Sequence, residues 1–368
     1  MKIALIRKNY TPYGGAENYL NLLAGNLAER GYDVHIFSAF NRSGKNLTVH
    51  KIRTIGSPSF LSNIIFAANT RAELKKGYFD CVLSFERTFF QDIYRAGDGC
   101  HREWLDRRKS VDSFLKKISL TVNPHHLLLL YLEKECFSNS GTIIANSMMV
   151  KKDILRHYPM HDNKIQVIYN GVDLQKFQPA GTDIKADIRN DLGITADKVI
   201  LFVGSDFKRK GVPTLLKAFS LVERKDIQLL IAGKEAKARY LSMAKKLGIN
   251  KKVIFRGAER EIHRLYSISD VFVLPTIYDP FSNAALEAMA SGIPVITTAY
   301  NGASELIENG VQGFVINDPS DAGAFAEKIS SVLLHAEDMG RQARLKAEEY
   351  PIDNAVDKII RIISGSGS

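Results

Sequence analysis

No apolar run in this sequence is long enough to cross a bilayer. A spanning helix needs about 20 such residues, and the longest run, Leu127-Leu-Leu-Leu-Tyr-Leu132, is far shorter. At the N-terminus, Lys2 is followed by only Ile3-Ala4-Leu5-Ile6 before Arg7-Lys8, so no signal peptide is expected. Cysteine is scarce. Cys81, Cys100 and Cys136 are odd in number and lack metal-ligand spacing, so a reducing cytoplasm is the expected compartment. No Gly-x-Gly-x-x-Gly follows the first strand, which counts against a dinucleotide-dependent dehydrogenase. No Asp-x-Asp triplet occurs, and no Ser-His-Asp or Cys-His constellation is visible.

The chain has 368 residues, too many for one typical core and suited to two domains. Its net charge of +10 favours anionic partners: a nucleotide, a phospholipid surface or nucleic acid. No aromatic-basic recognition module accompanies the charge, so nucleic acid is not expected as a partner.

Short apolar runs alternate with amphipathic stretches throughout. Lys2–Ile6 reads as a buried parallel strand. The loop Asn9–Gly15 follows, then a helix from about Ala16 to Arg30 that stops at Gly31, then a strand at Asp33–Ala39. Further strands are expected at Val49–Ile55, Cys81–Phe85, Gly141–Asn146 and Lys164–Tyr169. A second series runs through Lys198–Val203, Gln228–Ala232, Val253–Arg256, Val271–Leu274, Val295–Thr298 and Gly313–Ile316. The alternation predicts an α/β protein with two Rossmann-like, doubly wound parallel sheets, whose ligands sit beyond the C-terminal strand ends. The expected domains are 1–171 and 172–350, with a helix at 351–364 crossing back to the first.

The segment Pro275–Pro294 organises the chemistry. It reads as strand, turn, helix and strand, with Asp279 in the turn and Glu287 on the helix. The helix opens with the small residues Asn283-Ala284-Ala285, so a ligand can approach its free N–H groups, where an anion is favoured. Amide donors beside two carboxylates suit a nucleotide sugar. A second element is Gly204-Ser205-Asp206-Phe207-Lys208-Arg209-Lys210-Gly211, after the first strand of the second series. Arg209 offers a planar fork and Lys210 a compact charge, and both suit a diphosphate. In the first half, Asp98 lies in the Gly-flanked loop Arg95–His101, and Gly14-Gly15 precedes a helix.

The Asp279-x7-Glu287-Ala-Met-Ala pattern resembles the acid-x7-Glu signature of retaining family 4 glycosyltransferases of the GT-B fold. It departs from the usual wording in having Asp279, one methylene shorter than Glu, and Pro280 in place of Gly. Gly204–Gly211 resembles the Gly-Ser-x-Phe-x-Arg-Lys-Gly text of lipopolysaccharide-core glucosyltransferases, and Asn170-Gly-Val-Asp173 resembles the hinge of the same enzymes. The resemblance covers nearly the whole chain. It implies two domains facing across a cleft and transfer of a hexose, with retention, from a UDP-sugar to a lipid-linked saccharide. No cofactor beyond that cosubstrate is implied. The alternatives are an epimerase of the same fold and a transferase using GDP-mannose.

By resemblance, the catalytic residues are Asp98, Arg209, Lys210 and Asp279. The donor-binding residues are Gly14, Gly15, Asn170, Gly204, Ser205, Arg209, Lys210, Phe281, Ser282, Asn283, Ala284 and Glu287. Metal-independent catalysis is expected, because Arg209, Lys210 and the helix start supply the positive field. Residues 101–137 mix Arg102, Trp104, Arg107, Arg108, Lys109, Phe114, Lys116 and Lys117 with the Leu127–Leu132 strip. They read as a surface for anionic lipid, which implies peripheral attachment to the inner face of the cytoplasmic membrane.

Overall fold

Short runs of β-branched and aliphatic residues become, among the described residues, thirteen strands, all paired in parallel, in two separate sheets. A computed structural model describes residues 1–9, 15–40, 47–111 and 120–365. The chain divides into two units: Met1–Tyr169 with the chain from Asp353, and Asn170–Ile352. Both sheets have strands such as Ile3–Ile6 and Val271–Leu274 that are buried throughout, as parallel sheets covered on both faces require.

The first unit contains β1 (Lys2–Ile6), β2 (Asp33–Ser38), β3 (Thr48–Lys51), β4 (Cys81–Ser84), β5 (Ile93–Ala96), β6 (Thr142–Ala145) and β7 (Ile165–Val167). Their spatial order is β3-β2-β1-β4-β5-β6-β7. The helix Ile352–Gly365 packs with this unit: Arg30 pairs with Asp357, and Tyr32 Oη lies 3.0 Å from Ser364 Oγ. The second unit contains β8 (Lys198–Val203), β9 (Ile227–Ala232), β10 (Val253–Gly257), β11 (Val271–Leu274), β12 (Val295–Thr298) and β13 (Gly313–Ile316), in the order β10-β9-β8-β11-β12-β13. Each order reverses beside the unit's first strand, between β1 and β4 and between β8 and β11. Open α/β sheets bind ligands at such reversals, outside the carboxyl strand ends.

Two elements differ from their reading in the sequence. Arg95-Ala96, taken as loop, ends the four-residue strand β5. Arg95 hides the strand, because a charge breaks its apolar run. It is tolerated because its guanidinium lies over the Tyr19 ring at 4.4 Å and near Phe85 at 5.7 Å, which shelters a cation among aromatic faces. The strand expected at Val49–Ile55 stops at Lys51, where its partner β2 ends at Ser38.

In the Asn170–Asp173 segment, Val172 forms an isolated parallel bridge with Pro351. Val172 N–H donates to Tyr350 O, and Ile352 N–H donates to Val172 O, each at 3.0 Å. A Cβ on Gly171 would stand 2.3 Å from the Ile352 Cα, so only glycine admits this close approach.

Candidate active site

The loops after β8 and β11 meet at the reversal of the second sheet. Arg209 O accepts from Ile277 N–H at 3.0 Å and from Thr276 Oγ1 at 3.2 Å. The Arg209 guanidinium donates to Tyr278 O at 2.7 Å and to Asp206 Oδ2 at 3.0 Å. Lys210 Nζ pairs with Asp279 Oδ2 at 3.1 Å. Gly204 makes room for that cation: a Cβ there would meet Lys210 Cδ at 2.5 Å. Gly211, at φ 81°, lies against Pro275 O, where a Cβ would clash at 1.9 Å. Ser205 is exposed beside these groups.

The helix Asn283–Ala290 starts at this place. Its cap Ser282 accepts from Ala285 N–H at 3.3 Å, a hydroxyl cap of the usual kind. Buried Asn301 fixes the entry, accepting from Ser282 N–H at 3.0 Å and Ala303 N–H at 3.1 Å. Asn283 and Ala284 stand in the first turn, where N–H groups have no intrahelical acceptor. Asn283 Oδ1 accepts from Asn170 Nδ2 at 2.7 Å, and Phe281 is buried behind the cap.

Glu287 lies one turn further on, half-buried, with Oε2 accepting from Tyr266 Oη at 2.9 Å. Burial pushes its carboxyl above the ordinary range, against the pull of the Tyr266 hydroxyl and the Lys176 and Lys210 cations. The second unit therefore brings Gly204, Ser205, Arg209, Lys210, Asp279, Phe281, Ser282, Asn283, Ala284, Glu287 and Asn170 to one neighbourhood of linked loops. The arrangement presents cations, open amides and carboxylates together, the donor and acceptor set a sugar diphosphate needs.

In the first unit, Asp98 is exposed in the turn after β5. The turn is held from two sides: Asn146 Nδ2 donates to Gly97 O and Arg87 to Gly99 O, each at 3.2 Å. Gly15 opens the helix Gly15–Glu29; Gly14 lies outside the described residues.

Three groups escaped the sequence reading. Tyr266 orients Glu287 from the helix Ile262–Ser267, and nothing in its own stretch marks it. Glu235 accepts from Phe207 N–H and from Tyr240 Oη, fixing the Gly204–Gly211 loop; its signal was a Gly233-Lys-Glu turn after an apolar strand. Glu86 follows β4 at the reversal of the first sheet, 3.4 Å from Arg7. Burial raises its carboxyl, with the Arg7 cation opposing.

The basic stretch divides between surface and core. Glu133 is fully buried and accepts from His101 N–H at 2.7 Å and Arg102 N–H at 3.1 Å, capping the helix His101–Val111. Arg107 pairs with Glu103 at 2.8 Å, Lys109 with Asp106 at 3.7 Å, and Arg108 lies over Trp104 at 5.2 Å. Val122, Leu127 and Tyr131 are exposed. Phe114, Lys116 and Lys117 lie outside the described residues. Among the described residues no helix is long and apolar enough to cross a membrane, and no group of three or more His, Cys, Asp or Glu can hold a metal ion.

A model of group 1 glycosyl transferases matches residues 184–349, and a glycosyltransferase family 4 model matches residues 13–176. Each half of the chain thus matches a glycosyltransferase family model. It is 28% identical over 352 residues to an uncharacterized glycosyltransferase of Methanocaldococcus jannaschii, covering 90% of this chain and 89% of that one. It is 25% identical to the lipopolysaccharide glucosyltransferase WaaG of Escherichia coli over 99% of both chains. A crystal structure of WaaG matches with a TM-score of 0.86 at 23% identity, covering 99% of this chain and 100% of that one. A structure of Anabaena HepE in complex with UDP and glucose matches with a TM-score of 0.75 at 19% identity, covering 99% of each. The chain thus has the GT-B architecture of two parallel-sheet domains, with seven and six strands among the described residues.

Proposed function

We propose that the chain is a retaining hexosyltransferase that moves glucose, or a closely similar sugar, from a UDP-sugar to a lipid-linked saccharide such as lipopolysaccharide core. The observation that carries this reading is the convergence of Lys210, Asp279, the open Asn283 and Ala284 amides and Glu287 at the reversal of the second sheet. WaaG, by its name a lipopolysaccharide glucosyltransferase, and HepE, solved with UDP and glucose, support the acceptor and donor assignments by analogy.

In this reading Glu287 accepts the ribose hydroxyls, and Tyr266 holds its carboxylate in place. The diphosphate lies against the first-turn amides, Arg209 and Lys210. Glycosyl transfer passes through an oxocarbenium-like state, so the main task is to stabilise the departing phosphate. Fixed cations do so where charge grows. Asp279 contacts hydroxyls of the transferred sugar. The departing phosphate itself assists front-face attack, which gives retention without a protein nucleophile. Transfer proceeds without a divalent metal.

The enzyme works at the membrane face through residues 101–137. Basic side chains near an anionic surface contribute about 1 kcal/mol each, and Trp104 adds interfacial anchoring. The intrahelical pairs of Arg107 and Lys109 lessen their share.

The test is product analysis by proton NMR with UDP-glucose and deacylated lipopolysaccharide core, in EDTA. An α-linked glucosyl product is expected. A β-linked product overturns retention, and activity that appears only with added magnesium or manganese overturns metal independence.

A further inference from the structure

A groove of about 540 Å³ opens on the flank of the first unit, lined by Arg71, Phe89, Phe90, Tyr131, Glu135 and Asn139. Arg71 stands in the last turn of the helix Ser59–Leu74. Glu135 and Asn139 end the helix Pro124–Asn139, which leads into the amino end of β6. The groove therefore lies toward the amino ends of the strands, whereas Glu86 and Asp98 follow their carboxyl ends. None of its residues belongs to the candidate nucleotide-sugar site, although Tyr131 and Glu135 fall within the stretch 101–137.

Its composition is specific. Phe89 and Tyr131 form a tilted ring pair, 6.3 Å between centroids and 59° between planes. Phe90 and Tyr131 remain 47% and 50% exposed, so large apolar rings face solvent within a concavity. Tyr131, Glu135 and Asn139 recur every four residues, which puts a ring, a carboxylate and an amide on one helix face. Asn139 Nδ2 approaches Glu135 Oε2 at 3.5 Å, too long for a strong bond. Neither Arg71 nor Glu135 has an ion pair among the described residues.

A pyranose has apolar C–H faces and a rim of hydroxyls. Aromatic rings cover the faces, and planar carboxylate, amide and guanidinium groups take adjacent hydroxyls in pairs. One cation and one anion cancel within the groove, which suits an uncharged ligand better than an anionic headgroup. The volume falls within the roughly 300–1,000 Å³ of small-ligand sites. We propose that this groove is a second saccharide-binding site, which holds an uncharged stretch of the acceptor glycan remote from the point of transfer. The proposal rests on the reading that the acceptor is a saccharide.

The test is calorimetry without donor, using deacylated lipopolysaccharide core oligosaccharide and maltotetraose. Wild type should bind at least one of them. Phe90→Ala and Tyr131→Ala should each weaken that binding about tenfold, the ratio that loss of ~1.4 kcal/mol of ring contact produces. Both residues are exposed, so melting temperature should hold. In turnover assays the variants should raise KM for the long acceptor and leave kcat and the KM for UDP-glucose unchanged. Binding equal in wild type and variants overturns the proposal, as does a wild type that binds neither oligosaccharide. Variants that lose only anionic-vesicle binding assign the groove to lipid and overturn it too. Ring-dependent glycan binding in a protein that transfers no sugar keeps the groove and removes the functional reading. Sugar transfer with variant-independent binding removes the groove alone.

Discussion

Lys210 Nζ lies 3.1 Å from Asp279 Oδ2, joining the loops that follow β8 and β11. Asp279 is buried, and its backbone is fixed as well: its N–H donates to Tyr300 O at 2.8 Å, and its carbonyl accepts from Gly302 N–H at 2.9 Å. The carboxylate cannot swing out to water when its partner is lost. Lys210→Met should therefore destabilise the protein by about 3–5 kcal/mol, the usual cost of stranding a buried charge. Asp279→Asn should cost less, because the ammonium on its flexible stem can reach solvent. Urea denaturation with unfolding midpoints compared at equal m-values checks this. An unchanged midpoint for Lys210→Met shows that the pair is not held in solution.

Gly204 holds the position of the Lys210 side chain. Its added Cβ meets the lysine stem at Cδ, 2.5 Å away, rather than backbone. Gly204→Ala should thus push the ammonium off its position and also strain the backbone, because residue 204 stands at φ 157°, which side chains rarely adopt. Stability should fall by about 1–3 kcal/mol, and kcat, compared where both proteins are folded, should fall about tenfold or more, because a displaced charge stabilises the departing phosphate poorly. A variant with wild-type kcat indicates that the lysine position does not matter to transfer.

Glu287 gives donor binding a pH dependence of known sign. Burial raises its carboxyl, so it takes up a proton at a higher pH than an ordinary glutamate. The ionised form is the stronger acceptor for ribose hydroxyls. Donor affinity should fall as pH drops toward that raised value, before ordinary carboxylates titrate. Its contribution to stability runs the other way, being present at low pH and lost as pH rises through the raised value. Glu287→Gln should bind weakly at every pH with a flat profile. A flat profile in the wild type removes Glu287 from the donor site.

His101 predicts acid sensitivity of the first unit. Its ring packs against Trp104 and His126, each at 5.3 Å between centroids. Burial, with the nearby Arg87, His126 and His125, lowers its pKa to about 3. The unfolded chain protonates near pH 6.5 and the folded chain only near 3, so stability is full above 6.5 and is lost as pH falls through that window. The slope approaches about 1.4 kcal/mol per pH unit for one proton. His101→Gln should flatten melting temperature against pH between those limits. Equal slopes in both proteins place the acid sensitivity elsewhere.

Legibility in the sequence followed burial and periodicity. The six strands of the second unit were readable, because Val199–Phe202 or Val271–Leu274 are apolar without interruption. β5 was not, because Arg95 is a buried cation whose shelter, Tyr19, comes from a distant helix. The site was legible where spacing within one segment carries it, as from Asp279 to Glu287. Its supports were not. Tyr266, Asn301 and Glu235 act across the fold, and no local pattern announces which loop a hydrogen bond will reach. The stretch 101–137 misled in part, since Glu133 within it is a buried helix cap rather than surface.

The central claim is that the second unit holds a nucleotide sugar by Arg209, Lys210, the Asn283–Ala284 amides and Glu287. Calorimetric titration of UDP-glucose into the full chain, in EDTA, with wild type beside Glu287→Gln, tests it most directly. The account predicts saturable binding at one site by the wild type without added metal, and a loss of about tenfold or more in the variant, since a charge-assisted hydrogen bond contributes roughly 1.5–3 kcal/mol. No heat with UDP-glucose, or equal affinity in both proteins, would contradict it.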